Sequence, residues 1–206
     1  MKQTFDFIFG VMLLTLLAIP ILLIIIAIRL TSKGSAFYWS DRIGENNKIF
    51  KMPKFRSMVI GTPTVATHLL VNPNSYLLPI GKFLRRYSLD ELPQLFSVLK
   101  GDMSFVGPRP ALYNQDDLIS LRTEKGVDKL LPGITGWAQV NGRDELSIQD
   151  KVLLDVEYLN RQSFWFDMKI LWITFLKVMK RNGAVSYTHL RAHETPEHLV
   201  CRLLLE

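Results

Sequence analysis

Arg85-Arg86-Tyr87-Ser88-Leu89-Asp90-Glu91-Leu92-Pro93-Gln94 sets two adjacent carboxylates where a helix is due to begin. Proline has no N–H, so it is tolerated only in the first turn of a helix. Two registers are open. With Asp90 as N-cap, Glu91 is the first helical residue and Pro93 the third, and the missing donor is one that would be unpaired anyway. With Ser88 as N-cap, Glu91 closes a capping box, but Pro93 then falls past the free donors. The first register is the expected one. In either, both acids lie at the positive end of a helix dipole and are expected to be ionised at neutral pH.

Standing alone, such a stretch means no more than an acidic helix cap. The flanks alter that reading. Arg85 and Arg86 precede the acids, and Gly101-Asp102-Met103-Ser104-Phe105-Val106-Gly107-Pro108-Arg109-Pro110 follows them. Carboxylates, arginines and a loop shaped by Gly and Pro suit attack on a phosphate. A carboxylate can form an acyl phosphate, while guanidinium groups hold the non-bridging oxygens. The prolines around Arg109 stiffen its loop, so less entropy is lost when it clamps a phosphate.

The chain has 206 residues, enough for one domain with a buried core. It is 48% hydrophobic and its mean hydropathy is positive, which points to membrane contact. The net charge of +6 suits anionic lipid head groups and phosphates. No RNA- or DNA-binding signature accompanies it, so no nucleic-acid partner is expected. Cys201 is the only cysteine, so no intrachain disulfide can form.

Phe7 to Ile28 is a run of 22 residues without a charge. As a helix it would reach about 33 Å, enough for the hydrocarbon core. It is too long for a signal-peptide core. Pro20 sits near its middle, preceded by Ile19. On residues alone a single spanning helix is the default, since a proline kink is tolerated in membranes. Arg29, Lys33 and Arg42 follow the segment and only Lys2 precedes it, which places the rest of the chain in the cytoplasm. Phe37-Tyr38-Trp39 and Lys48-Ile49-Phe50-Lys51-Met52 flank Gly44-Glu45-Asn46-Asn47 and predict a β-hairpin.

Gly61 to Ile80 reads as loop, with His68 a surface or packing residue rather than a ligand. Gly101 is expected to stop the helix that carries Gln94 to Lys100. Asn114 to Lys125 predicts a polar helix with Asp116, Asp117, Arg122 and Glu124 in solvent. Ser147 to Asn160 predicts a helix with Val152, Leu153, Val156 and Leu159 on one side. Phe164 to Met179 is aromatic and aliphatic but interrupted by Asp167, Lys169 and Lys177, which suits a helix lying in the membrane interface. Ser186 to Glu206 changes character abruptly, holds three of the four histidines, and reads as a non-native tail. The second acidic pair, Asp144-Glu145, lacks a following proline and is given no catalytic role.

Leu89-Asp90-Glu91-Leu92-Pro93-Gln94, Lys100-Gly101-Asp102-Met103-Ser104 and Val106-Gly107-Pro108-Arg109-Pro110 together resemble the bacterial sugar transferases, the monotopic phosphoglycosyl transferases that start glycan assembly on a polyprenyl phosphate. Lys54-Phe55-Arg56-Ser57-Met58 and Pro132-Gly133-Ile134-Thr135-Gly136-Trp137-Ala138-Gln139-Val140-Asn141-Gly142-Arg143 match as well, in the family's order, up to about residue 185. The resemblance implies an α+β fold, mostly helical, with a small β-hairpin and interfacial helices. It implies that residues 1–32 form a re-entrant membrane helix broken at Pro20, that 33–185 form a cytoplasmic catalytic domain, and that 186–206 lie outside the family. The family often has Ser where Ile19 stands, Tyr where Pro53 stands and Gln where Ser40 stands.

The implied reaction moves a sugar-1-phosphate from a UDP-sugar to polyprenyl (undecaprenyl) phosphate and releases UMP. Asp90 would be the nucleophile, forming a covalent phosphosugar. Glu91 would hold Mg²⁺ and Arg85 would brace the carboxylates. Arg109, Arg143, Lys54 and Pro108 would contact the phosphates of the substrate. The expected setting is the bacterial inner membrane, with phospholipid around the chain and a homodimer among the expected assemblies. A membrane-anchored scaffold that has lost catalysis is the alternative from another class.

Overall fold

The computed structural model describes residues 2–62, 73–142 and 146–179. His68, Arg143, the pair Asp144-Glu145 and the tail 186–206 lie outside the described residues. The described chain is mostly helical with a small β-hairpin, as the sequence predicts.

Helix α1 (Lys2–Thr31) is apolar on every side, so it has two hydrophobic faces to cover. One stripe lies against the rest of the protein. Gly10 faces Leu99, Phe9 meets the Phe105 ring at 5.0 Å, and Ile21 and Ile28 are buried. The opposite stripe, Ile8, Met12, Leu16, Ile19, Leu23, Ile26 and Leu30, recurs every three or four residues and is bare. It is the one helix among the described residues long and apolar enough to cross a membrane, and its bare stripe makes the protein membrane-associated. The helix runs through Pro20 as one assigned element, with Ile19 and Pro20 both exposed.

Strands β1 (Phe37–Ile43) and β2 (Ile49–Phe55) form the expected hairpin, pairing Phe37 with Phe55 and Ile43 with Ile49. The turn uses Asn46 and Asn47 at φ 53° and 58°, a region that Asn tolerates better than most residues. Short helices α2 (Gly81–Arg86) and α3 (Gln94–Lys100) follow. Gly101 at φ 87° ends α3, as predicted. Strand β3 (Ser104–Val106) crosses through α4 (Asp116–Glu124) to pair in parallel with β4 (Gly133–Thr135). Helices α5 (Trp137–Asn141), α6 (Ile148–Arg161) and α7 (Phe164–Met179) close the fold. Ser147 caps α6, its hydroxyl accepting from the Asp150 N–H at 3.1 Å.

Two helices differ in detail from expectation. On α6 the inward stripe is Val152, Asp155 and Tyr158, and Leu153 is 65% exposed. On α7 Asp167 is buried, while Lys169 and Lys177 stay exposed and reach back along the surface to the body of the protein. Asp167 pairs with Lys2 at 3.1 Å and accepts from the Tyr158 hydroxyl at 2.7 Å. Lys177 donates to the Val140 carbonyl at 2.6 Å, and Lys169 sits over the Trp137 ring. Trp165, Trp172, Phe175 and Met179, at helical spacing, are exposed beside them.

The loop after β3 is pressed against β4. A Cβ built on Gly133 would stand 2.1 Å from the Gly107 nitrogen and 2.4 Å from the Thr135 carbonyl. Both are backbone atoms and have no rotamer to yield. Gly133→Ala is therefore expected to destabilise the protein by about 1–3 kcal/mol or more. A thermal melt in detergent checks this, and an unchanged midpoint would contradict the close packing.

Candidate active site

Asp90 and Glu91 ride on a single 3₁₀ turn, Leu89–Glu91, between α2 and α3. The chain enters it through Ser88 at φ 55°, a left-handed conformation that costs a serine energy and is found at functional sites. Neither register expected from the sequence is adopted. Ser88 makes no side-chain cap, and α3 begins only at Gln94, with Pro93 in the capping position. For the Ser88 register the reason lies in the proline. An α-helix reaching back to Leu89 would drive the Pro93 ring into the Leu89 carbonyl. The backbone instead makes a series of tighter bonds, Glu91 N–H to the Ser88 carbonyl and Leu92 N–H to the Leu89 carbonyl, both at 3.3 Å.

The acids consequently sit ahead of the helix, and their electrostatics come from side chains rather than a dipole. Glu91 Oε1 accepts from Lys54 Nζ at 2.9 Å and from Arg109 Nη2 at 3.1 Å. Burial alone would push the Glu91 carboxyl up, but these two cations hold it well below the usual carboxylate range. Asp90 goes the other way. Burial raises its pKa, with Glu91 adding to the rise and Lys54 and Arg85 opposing it. Lys54, on β2, is pushed down by burial against the pull of Glu91. Two neighbouring carboxyls thus have their acidities driven apart.

Lys54 and Glu91 are largely covered, at 15% and 18% side-chain exposure, while Arg109 is 43% exposed. Arg109 thus touches Glu91 and still presents its guanidinium outward. Arg85, at the end of α2, donates from Nε to Ser57 Oγ at 2.9 Å and from Nη2 to Met58 Sδ at 3.1 Å. Its charge acts on Asp90, so four of the expected site residues, Lys54, Arg85, Asp90 and Glu91, come together with Arg109. Pro108 is buried and its carbonyl accepts from the Gly133 N–H at 2.9 Å. It shapes the loop. Trp137 packs inside, 5.0 Å from the Phe166 ring, with its indole N–H on Glu157 at 2.7 Å.

Three residues that hold the site escaped sequence reading. Arg122, expected in solvent, lies at 12% exposure with both Nε and Nη2 on buried Asp155, at 3.0 and 2.7 Å. Arg42 donates to Ser40 Oγ at 3.0 Å and to the Pro110 carbonyl at 3.1 Å. A signal for Asp155 was present, because an acid at the centre of the apolar stripe of α6 must have a buried partner.

Two carboxyls thus lie among lysine and arginine on a protein with a bare apolar flank. The chain belongs to the bacterial sugar transferase family, whose model matches residues 1–181. It is 39% identical to the Bacillus subtilis sugar transferase EpsL, over 93% of this chain and 94% of that protein. It is 40% identical to an undecaprenyl-phosphate glucose phosphotransferase of Komagataeibacter xylinus and 36% identical to an undecaprenyl-phosphate galactose phosphotransferase of Salmonella typhimurium. Those matches cover 88% and 89% of this chain but only 36% and 41% of the relatives' own length.

Removing Lys54 should expose the strain it relieves. Lys54→Met is expected to lower stability by about 1–3 kcal/mol at pH 7, because the covered Glu91 carboxylate loses a charged donor. A depressed carboxyl stabilises the fold above its unfolded pKa, about 4.3 for Glu, and that contribution is lost as pH falls through the lower folded value. The gap between wild type and Lys54→Met should therefore be full at neutral pH, begin to narrow below about pH 4 and shrink further as pH falls towards the lower folded value. Denaturant titrations across pH measure it, and a gap that persists in acid would assign the effect to packing instead.

Proposed function

We propose that the protein transfers a sugar-1-phosphate from a UDP-sugar to undecaprenyl phosphate, as the first membrane step of bacterial glycan assembly. The observation that carries this reading is the Lys54–Glu91–Arg109 contact beside Asp90, in a chain of this family. Donor and acceptor classes follow the names of the glucose and galactose relatives.

Asp90 is the nucleophile. Its carboxylate oxygen attacks the sugar-linked phosphorus of the donor, the phosphoanhydride bond breaks, and UMP leaves with the bonding electron pair. The oxygen of the acceptor phosphate then attacks the same phosphorus and frees the Asp90 carboxylate. Asp90 suits this part because burial raises its basicity, with Lys54 and Arg85 only partly opposing the rise. Glu91 has Oε1 occupied by two donors and is the poorer nucleophile. Arg109 holds donor phosphate oxygens, with Arg143 a second contact, and Arg85 restrains Asp90 through charge.

Among the described residues no three His, Cys, Asp or Glu side chains cluster into a cation cage. That donor set still fits Mg²⁺, which uses one or two carboxylates together with substrate phosphates. Glu91, with Oε2 outside its two contacts, and Asp90 would hold it, and when bound it neutralises phosphate charge.

The way α1 is seated supports a re-entrant or in-plane membrane helix over a spanning one. Its inner stripe meets the domain from Lys2, which reaches Asp167 and the Val106 carbonyl, to Ile28, buried with Phe55 and Leu84. A helix held along its length by one domain does not carry that domain at only one end. The catalytic domain then lies on one membrane face, the cytoplasmic one by the charge bias of Arg29, Lys33 and Arg42.

Intact mass measured after exposure to UDP-sugars with Mg²⁺ and no lipid tests the mechanism. Wild type is expected to gain one phosphosugar, and Asp90→Asn none. UMP release that requires the acceptor, without an adduct, would replace the covalent route with a ternary complex. Neither adduct nor turnover with any donor would favour the scaffold.

A further inference from the structure

Three consecutive carbonyls in the loop after β3 are each held from a different part of the fold. Pro108 is held by the Gly133 N–H of β4 at 2.9 Å, Arg109 by Arg122 Nη1 of α4 at 2.8 Å, and Pro110 by Arg42 Nη1 of β1 at 3.1 Å. Proline lacks N–H, so of these three residues only Arg109 has an amide to donate, and this stretch cannot fix itself by backbone pairing alone. Arg122 is in turn fixed by Asp155, which is 1% exposed and takes two of its N–H groups.

We infer that Arg122 and Asp155 are positioning residues for the reaction, acting through Arg109. The inference rests on the proposed role of Arg109 at the donor phosphates. A pair that served only to join α4 to α6 would be complete with the two contacts between Arg122 and Asp155. The third arm of the guanidinium leaves that pair and ends on the backbone of the residue that touches Glu91. Burying an ion pair is costly and is weak grounds for stability in itself. A planar fork with donors on two sides is what joins a helix to a specific carbonyl, and lysine cannot copy it. The line of contact runs from α6 through Asp155 and Arg122 to the Arg109 backbone, and from the Arg109 side chain to Glu91.

The test is a double-mutant cycle with Arg109→Ala and Arg122→Ala, read as kcat and KM for the UDP-sugar that wild type turns over. Arg122→Ala is expected to lower kcat/KM by about 10- to 100-fold, the size of effect caused by a displacement of about 1 Å. The double variant is expected to be no slower than Arg109→Ala alone. Losses that multiply would show that Arg122 acts independently of Arg109 and would overturn the inference. Arg122→Lys keeps a cation opposite Asp155 and guards against a variant that fails to fold. It is expected to keep the wild-type melting temperature and still lose about tenfold in activity; wild-type activity would overturn the inference. Hydrogen–deuterium exchange of the segment 107–115 in Arg122→Lys needs no turnover. Faster exchange there, with the rest of the protein unchanged, is expected, and unchanged exchange would overturn the inference. If wild type turns over no donor, the transferase reading fails separately and the exchange experiment decides the positioning claim.

Discussion

One oxygen atom joins the three parts of the active site. Glu91 Oε1 accepts from Lys54 on β2 and from Arg109 on the loop after β3, while Glu91 itself stands on the turn between α2 and α3. Those segments come from distant parts of the chain and share no backbone pairing with one another. Removing water from three charged groups is expensive, and the attraction among them offsets that cost only when the geometry is good. The surrounding fold can be read as what maintains that geometry. The β-hairpin gives Lys54 a rigid base, the glycine contact between Gly107 and Gly133 seats the loop, and Pro93 stops α3 from absorbing the acidic turn.

The same turn is tied to the apolar helix. Leu89 and Leu92 flank the two acids, and both pack against the cluster that contains Ile21, Ile28, Phe55 and Leu84. The inner stripe of α1 is therefore part of the floor of the site, while its outer stripe is bare. Membrane association and the placement of the carboxylates follow from two sides of one helix. A lipid-linked acceptor carries its phosphate at the water boundary, and a nucleophile fixed to the helix that seats the protein is held at constant depth. A long linker to a spanning helix would leave that depth free to vary.

The sequence disclosed the elements with local causes. The hairpin followed from Asn46-Asn47 between aromatic runs, and the end of α3 from Gly101. The clustering of Asp90, Glu91 and Arg109 was foreseen because their stretches, an acidic helix cap and a Gly/Pro loop when taken singly, occur together with further cations. The supporting residues were not, for a different physical reason. Arg122 lies on a helix rich in polar residues, and nothing within that helix shows that it reaches Asp155, 33 positions later. Buried ion pairs of this kind are long-range facts, invisible to local periodicity unless the acid breaks an apolar stripe. The expected N-cap at Asp90 is not used, because the chain makes a separate 3₁₀ turn over Leu89–Glu91 and α3 begins only at Gln94, a break that a local capping rule does not foresee.

The two acids are neighbours in sequence and nearly opposite in environment. Two cations compensate the Glu91 charge directly, so its electrons are committed and its pKa is depressed. Asp90 is largely covered too, yet Lys54 and Arg85 do not outweigh its burial and its pKa is raised. A more basic carboxylate is the stronger nucleophile towards phosphorus, and a more acidic one is the more dependable permanent charge. A 3₁₀ turn points successive side chains about 120° apart, so one acid can face the cations while the other faces the space where a phosphate would enter. In an α-helical first turn both acids would share one dipole and one solvent front, and their acidities would have less reason to part.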